Sequence, residues 1–325
     1  MLSRIAEALY WMGRYLERAD DTARLLDVYV HRMVSQLPEE QMGQSLLAAM
    51  GLDADELAAL DPEGEGPIDL WRATEVLAYD ADNPSSVVGS LRLARENARG
   101  LREILATEVW EALNRTYHEL DSHVRAARTL GPHLLFQWVR DRVALVGGLT
   151  DTVLLHDDGW RFLTLGRSLE RVDMTARLLG AVPDDAGPSR WSGVLVSCGA
   201  NDAFLRTYGG HIDRPRALSV LLLDADFPRS VAYALGQAES CLAEVDGTRG
   251  PSNGRRRSVQ RTSDAARELG RIRSELIYAD PMALAADLPG TVHRLQEACA
   301  RASELVSQRY FQRAAFIEWN VDEPA

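Results

Sequence analysis

Two adjacent glutamate–arginine pairs, Glu17-Arg18 and Glu170-Arg171, carry the side chains of this sequence best suited to chemistry. A carboxylate can act as general acid or base, and a guanidinium presents a planar fork to carboxylates and phosphates. Both pairs sit in one string that occurs twice: Gly13 to Leu26 and Gly166 to Leu179 agree at eleven of fourteen positions, at an offset of 153. Arg14 and Arg167 open the string on the same face as the pairs. Neighbours in sequence do not face each other on a helix, so each pair must find its partners elsewhere. Two readings follow: salt bridges between helices, or a ligand site in which arginines hold an anion. An arginine close to a glutamate lowers the carboxyl pKa, which weighs against proton transfer by Glu17 or Glu170 but leaves electrostatic catalysis open.

A second candidate is the stripe Arg92, Arg95, Glu96, Asn97 and Arg99. The aligned positions of a later helix are Gly236, Glu239, Ser240, Cys241 and Ala243, so the stripe belongs to one half alone. A single functional site in a duplicated protein would look like this, and a solvated helix face explains it equally. Several guanidinium forks on one face suit a carboxylate or phosphate.

Other chemistries lack their residues. A di-iron carboxylate site requires Glu-x-x-His on two helices, and none occurs. His118, Glu119 and His123 miss the His-Glu-x-x-His zinc spacing by one residue. Neither a nucleophile elbow nor a dinucleotide fingerprint is present. All 36 basic residues are arginine, which removes Schiff-base chemistry and the P-loop lysine. Cys198, Cys241 and Cys299 are widely spaced and odd in number, so buried thiols are expected rather than disulfides or a metal site. No cofactor and no metal are expected.

These side chains need helices to position them. Ile5, Leu9, Met12, Leu16, Ala19, Ala23, Leu26 and Val30 step by three and four residues, the seam of a bundle helix. Phe162, Leu165, Leu169, Val172, Ala176 and Leu179 repeat it. Glu17, Arg18 and Arg14 point off the seam, yet their charges persist in both copies while Tyr15 and Asp21 become Ser168 and Met174. That second face is therefore expected to be buried or to line a cavity. Asp20 with Arg24, and Asp173 with Arg177, have the spacing of i,i+4 ion pairs.

A second repeat, Asp80 to Val87 against Asp224 to Val231, has an offset of 144 and opens a helix each time. The seams that follow run from Val87 through Leu91, Ala94 and Ala98 to Leu101 and Leu105, and from Val231 through Leu235, Ala238 and Leu242 to Val245. Further helical patterns cover 107–130, 132–156, 191–208, 261–278 and 291–312, and nothing alternates as a strand. Polar connections are read at 36–67 and at 249–261, the latter a mobile loop carrying Arg255-Arg256-Arg257, and the tail after Trp319 is read as frayed. The expected fold is all-α: one large helical bundle of two internally duplicated, pseudo-twofold related halves, residues 1–130 and 131–325.

With a net charge of −12, nucleic acid and anionic membrane are improbable partners. No stretch has the apolar length of a membrane span and the start does not read as a secretion signal, so the cytoplasm is the expected compartment.

The stretch from Leu9 to Asp20, the stretch Ala94 to Arg99 and Gly166 to Arg171 together resemble the alpha-E family, predicted helical proteins named for their Glu-Arg motif. The resemblance covers nearly the whole chain and marks Glu17, Arg18, Glu170 and Arg171, with Arg95, Glu96 and Asn97 from the middle motif. Members are typically encoded beside ATP-grasp-type ligases and transglutaminase-like peptidases, which implies a peptide or amide ligation system. The expected function is then a helical accessory protein that docks the ligase or presents an anionic peptide through its Glu-Arg helices. The alternative is an enzyme with a Glu/Arg active site acting on a carboxylate- or phosphate-bearing substrate.

Overall fold

A computed structural model describes residues 2–33, 43–44, 46–47, 50–51, 68–248 and 262–311. The connection read at 36–67 falls mostly outside the described residues, and the loop at 249–261 and the tail after Trp319 fall wholly outside them. Every described element is helical, thirteen α-helices and three π-helical turns, and the described residues contain no strand.

Helix α1 (Ser3–Met33) is long and buried on most of its circumference, because it packs against neighbours on several sides. Its seam delivers Leu9, Met12, Leu16, Ala19, Ala23 and Leu26 to the core, while Ile5 and Val30 are half-buried. Helices α2 (Leu70–Thr74), α3 (Val87–Arg99), α4 (Thr107–Leu130) and α5 (His133–Val153) follow. Ser86 caps α3 by accepting from the Gly89 amide, and Gly100 ends it, so Leu101 and Leu105 of the expected seam are buried beyond the helix.

Helix α6 (Asp158–Gly180) carries the second copy of the motif. Asp157 caps it, accepting from the amides of Gly159 and Trp160, two of the orphan donors of a helix start. The single pattern expected at 191–208 is two helices, α7 (Pro188–Ser197) and α8 (Asn201–Tyr208). Between them Gly199 adopts φ +64, a left-handed conformation that breaks the helix. The chain continues through α9 (Arg214–Leu218), α10 (Val231–Thr248), α11 (Asp264–Ile277), α12 (Pro281–Ala286) and α13 (Leu288–Val306). The three π-helical turns extend α2, α9 and α13.

The neighbours follow one scheme around two central helices. Helix α1 packs on α3 and α5, α6 packs on α10 and α13, α4 pairs with α5, and α11 pairs with α13. Where α1 meets α6, a Cβ added at Gly13 would lie 2.1 Å from the Leu163 carbonyl oxygen, and one at Gly166 would lie 2.0 Å from that of Tyr10. Only glycine allows so close a backbone approach. It brings the Glu-Arg pairs of the two helices within reach of each other.

Candidate functional site

The two pairs grip each other across the α1–α6 contact. Arg171 donates Nε to Glu17 Oε1 at 2.6 Å and Nη2 to Oε2 at 2.8 Å. Arg18 donates Nε to Glu170 Oε1 at 2.5 Å and Nη2 to Oε2 at 3.1 Å. Each is a bidentate fork, the strongest geometry open to these groups. Glu17 is 2 % exposed and Glu170 1 %. Burial works to raise both carboxyls, but Arg171 and Arg229 hold Glu17 down at about 2, and Arg14 and Arg18 hold Glu170 below its ordinary value. Both are therefore ionised at neutral pH. The matching spare donors reach the loops ahead of α3 and α10: Arg18 Nη1 to the Pro84 carbonyl and Arg171 Nη1 to that of Pro228.

Beyond the shared core the two ends differ. On the Glu170 side, Arg14 donates Nε to Glu170 Oε2 at 2.5 Å and Nη1 to Ser303 Oγ at 3.0 Å and Tyr10 Oη at 3.2 Å. Tyr10 Oη in turn donates to Ser303 Oγ at 3.0 Å, and the end is closed. On the Glu17 side, Arg167 occupies the motif position of Arg14 but does not bond Glu17. Among the described residues its hydrogen bond is Nη2 to Asp151 Oδ1 at 3.5 Å. Leu163, at the motif position of Tyr10, offers it no hydroxyl.

Arg229 takes up the charge of Glu17 instead. Its Nη1 lies 3.5 Å from Glu17 Oε1 and donates to Asp20 Oδ2 at 3.0 Å, its Nη2 donates to Asp21, and its Nε to the Cys198 carbonyl. Arg24 also donates to Asp20 Oδ2, at 2.8 Å, and Arg177 to Asp173 at 2.9 Å, the two i,i+4 pairs expected from the spacing. Burial pushes the Asp21 carboxyl up, to about 8, against the pull of Arg229 and with help from Glu17 and Asp20. Asp20 Oδ1 is buried and has no hydrogen-bond partner among the described residues. An acceptor left so costs about 1–3 kcal/mol.

Around this end lies a cavity of about 260 Å³. Glu17, Asp20 and Arg24 of α1, Arg167 and Arg171 of α6, and Arg229 supply its polar wall. Leu16, Val143, Ala144 and Leu163 supply an apolar wall, and Gly147, Gly148 and Asp151 of α5 complete it. A Cβ at Gly147 would lie 3.6 Å from Arg167 Nη1, so the missing side chain keeps the guanidinium face clear.

None of the stripe residues lines this cavity. Arg92 pairs with Asp121 of α4 at 3.1 Å. The Arg95 guanidinium lies 4.7 Å from the Tyr117 ring centre and 5.5 Å from that of Trp110, and it bonds Asn114 and Glu96. Arg99 reaches Glu96 at 3.1 Å, and the Asn97 amide donates to the Leu93 carbonyl. The three thiols are all buried, and burial raises each well above its ordinary value.

The sequence marked Glu17, Glu170 and their arginines without pairing them with each other, and Arg229, Asp20, Asp151 and the two cavity glycines were not among its candidates. One signal was legible. Arg229 stands where the first Asp-x-Asp-x-Pro string has Ser85, and Asp21 stands where the second motif has Met174. Both members of the Arg229–Asp21 contact are thus special to one end.

A family described as Alpha-E, a predicted alpha-helical domain with a conserved ER motif, matches residues 1–311. Among curated proteins, uncharacterized proteins of Mycobacterium bovis and of two strains of Mycobacterium tuberculosis are 26 % identical over 273 residues. The aligned stretch covers 77 % of this chain and 30 % of each relative, so the chain spans under a third of their length. No solved structure matches.

Proposed function

From the premise that the chain belongs to the Alpha-E family, we propose that it is a non-catalytic helical partner in a peptide or amide ligation system, docking an ATP-grasp-type ligase and a transglutaminase-like peptidase in the cytoplasm and presenting an anionic peptide. One observation carries the non-catalytic reading: both motif glutamates are consumed in buried bidentate pairs, and Glu17 is held ionised down to a pH of about 2. A general acid or base at neutral pH would need a pKa several units higher and a free lone pair facing substrate. The competing enzyme with a Glu/Arg active site is disfavoured on the same ground. The partner role is further supported by the mycobacterial relatives, in which the matched region is 30 % of a longer chain, the arrangement expected of a domain that works beside others. The described residues contain no helix long and apolar enough to cross a membrane.

Residues 1–130 and 131–325 are read as two repeats related by a pseudo-twofold. Support comes from contacts that occur in matching pairs: Gly13 on Leu163 and Gly166 on Tyr10, Arg18 on Glu170 and Arg171 on Glu17, Ser86 on Asp80 and Ser230 on Asp224. In this reading Arg14, Glu17, Arg18, Arg167, Glu170 and Arg171 build the inner framework. Arg92, Arg95, Glu96, Asn97 and Arg99 offer an outer face for an acidic partner segment.

Co-purification of the full chain with the ligase and the peptidase, followed by ATP-dependent ligation with and without it, tests the proposal. Retention on either enzyme together with stimulated ligation is expected. Failure to bind both, or turnover of a carboxylate substrate by the isolated chain, overturns it.

A further inference from the structure

Two histidines distant in sequence meet over one carboxylate near the C-terminal end of α1. Asp27 and His31 stand one turn apart on α1, and His133 is the first residue of α5, so the packing of α5 on α1 brings the three together. Each offers one ligand atom, an imidazole nitrogen or a carboxylate oxygen, and these atoms lie within 4.8 Å of one another. His133 Nδ1 is 2.6 Å from Asp27 Oδ1, and His31 Nδ1 is 3.4 Å from the same oxygen. The two rings meet edge to face with centres 4.7 Å apart. Asp27 is buried, His133 is half-buried and His31 is exposed, so the cluster opens to solvent. Arg140 approaches the other oxygen, Oδ2, at 3.5 Å and leaves Oδ1 to the imidazoles. None of these residues lines the cavity at the Glu17 end.

Hydrogen bonding alone uses this arrangement unevenly. His133 is bonded to Asp27 Oδ1, whereas His31 turns its Nδ1 to the Asp27 backbone carbonyl at 2.8 Å. A metal ion would use all three side chains. Zinc–ligand bonds of about 2.0 Å in a tetrahedron set the ligand atoms about 3.3 Å apart. The His31–Asp27 separation is already close to that, and the His133–Asp27 separation would open by about 0.7 Å, a small rotation for a half-buried side chain in the first turn of a helix. Each imidazole keeps its proton by moving it to Nε2 and gives its Nδ1 lone pair to the metal. Water takes over the carbonyl bond that exposed His31 releases. Two imidazoles and one carboxylate suit a borderline cation such as Zn²⁺, whereas Mg²⁺ and Ca²⁺ favour oxygen ligands. Three protein ligands leave the fourth position to water. The Arg140 charge opposes the cation and limits its affinity, while its contact with Oδ2 orients the ligating carboxylate from the outer shell. We propose that Asp27, His31 and His133 form a Zn²⁺ site that clasps the end of α1 to the start of α5. The site goes beyond the docking reading and does not depend on it. It left no zinc motif in the sequence because only Asp27 and His31 share a helix.

The full chain, purified without a histidine tag and stripped with chelator, is titrated with Zn²⁺ by calorimetry at neutral pH, and with Co²⁺ as a spectroscopic probe. Saturable binding of one Zn²⁺ per chain is expected, together with a tetrahedral Co²⁺ spectrum that Zn²⁺ abolishes and excess Mg²⁺ leaves in place. His31→Gln and His133→Gln should each weaken binding about tenfold or more. Both positions reach solvent, so the metal-free variants should keep the fold, checked by their melting midpoints. His118→Gln, at an exposed histidine outside the cluster, should bind as the parent does. Because the metal binds the folded chain, Zn²⁺ should raise the melting midpoint of the parent and of His118→Gln but not of the two cluster variants. Asp27→Asn also disturbs the Arg140 contact, so the histidine variants carry the test. Absence of saturable binding at one ion per chain, binding untouched by His31→Gln and His133→Gln, an equal loss in His118→Gln, or displacement of Co²⁺ by Mg²⁺ would each overturn the proposal.

Discussion

Arg14 and Arg167 open the same motif and finish in different surroundings. Arg14 is sealed by Glu170, Tyr10 and Ser303, whereas Arg167 looks across a cavity at Gly147 and, among the described residues, hydrogen-bonds Asp151. The glutamates at the centre are gripped alike in both ends, so the charge-paired core is shared and the difference lies in what surrounds it. Tyr10 against Leu163 decides whether the motif arginine has a hydroxyl to fold onto. Asp21 with Arg229, against Met174 with Ser85, decides which arginine answers the glutamate. An equal scaffold thus carries unequal surroundings, and the two copies of the motif end in one closed and one open environment.

The strongest way to break this comparison is to remove the shared carboxylates. Breaking a buried ion pair by deleting one partner typically costs about 3–5 kcal/mol. Glu170→Gln leaves Arg14 and Arg18 facing each other in a closed end, and we expect a loss in that range from denaturant midpoints. Glu17→Gln should also destabilise, but less, because water in the cavity can hydrate Arg171 and Arg229. Two unshifted midpoints would remove the structural reading of the motif; a larger loss at Glu17 would reverse the assignment of closed and open ends.

Next in size is the backbone contact. Gly13→Ala and Gly166→Ala each force a methyl against a helix backbone, and overpacking of this kind costs about 1–3 kcal/mol. The contacts match at 2.1 and 2.0 Å, so the two losses should be similar. Unequal losses would mean that the ends differ in backbone as well as in side chains.

Titration sharpens the comparison further. Asp21 has its carboxyl raised from 3.8 to about 8, so between those values the folded chain holds a proton that the unfolded chain releases. Stability should fall as pH rises from about 4 to 8. Glu17, lowered to about 2, acts in the opposite sense: its contribution is full above its unfolded value and is lost as acid approaches a pH of about 2. Asp21→Asn should flatten the neutral-side slope and leave the acid-side loss. Midpoints measured across this range check it, and an unchanged slope would place the proton elsewhere.

How far the sequence led follows from what each feature depends on. Helices and seams depend on local periodicity, and Leu9, Met12, Leu16 and Leu26 are buried as the spacing demands. The burial of the second face was legible because charge persisted in both copies where neighbours drifted. The break at Gly199 and the short helices α2, α9 and α12 were not, since a single left-handed residue or a turn of five or six residues leaves little periodic signal. The cavity was hidden for another reason. It is made by absences, at Gly147, Gly148 and Leu163, and by Arg229 arriving from a distant loop, which no spacing within one helix records. Only the mismatch of Arg229 with Ser85 and of Asp21 with Met174 pointed there.

The smallest expected effect separates the two ends most cleanly. Arg14 spends its donors on Glu170, Tyr10 and Ser303 in a buried setting, and hydrogen bonds to a charged group are worth about 1.5–3 kcal/mol, so Arg14→Gln should lower stability by an amount of that order. Arg167 has a side chain 23 % exposed and, among the described residues, a hydrogen bond at the edge of the distance range. Its long-range pull on Glu17 is weaker than those of Arg171 and Arg229. Replacing it removes no buried bond and relieves crowding among four guanidinium groups. Arg167→Gln should therefore stay within about 0.5 kcal/mol of the parent, the usual range for a side chain without structural partners. Paired denaturant melts of the two variants give the answer: a loss at Arg167 equal to that at Arg14 would mean the open end is held by the same contacts as the closed one.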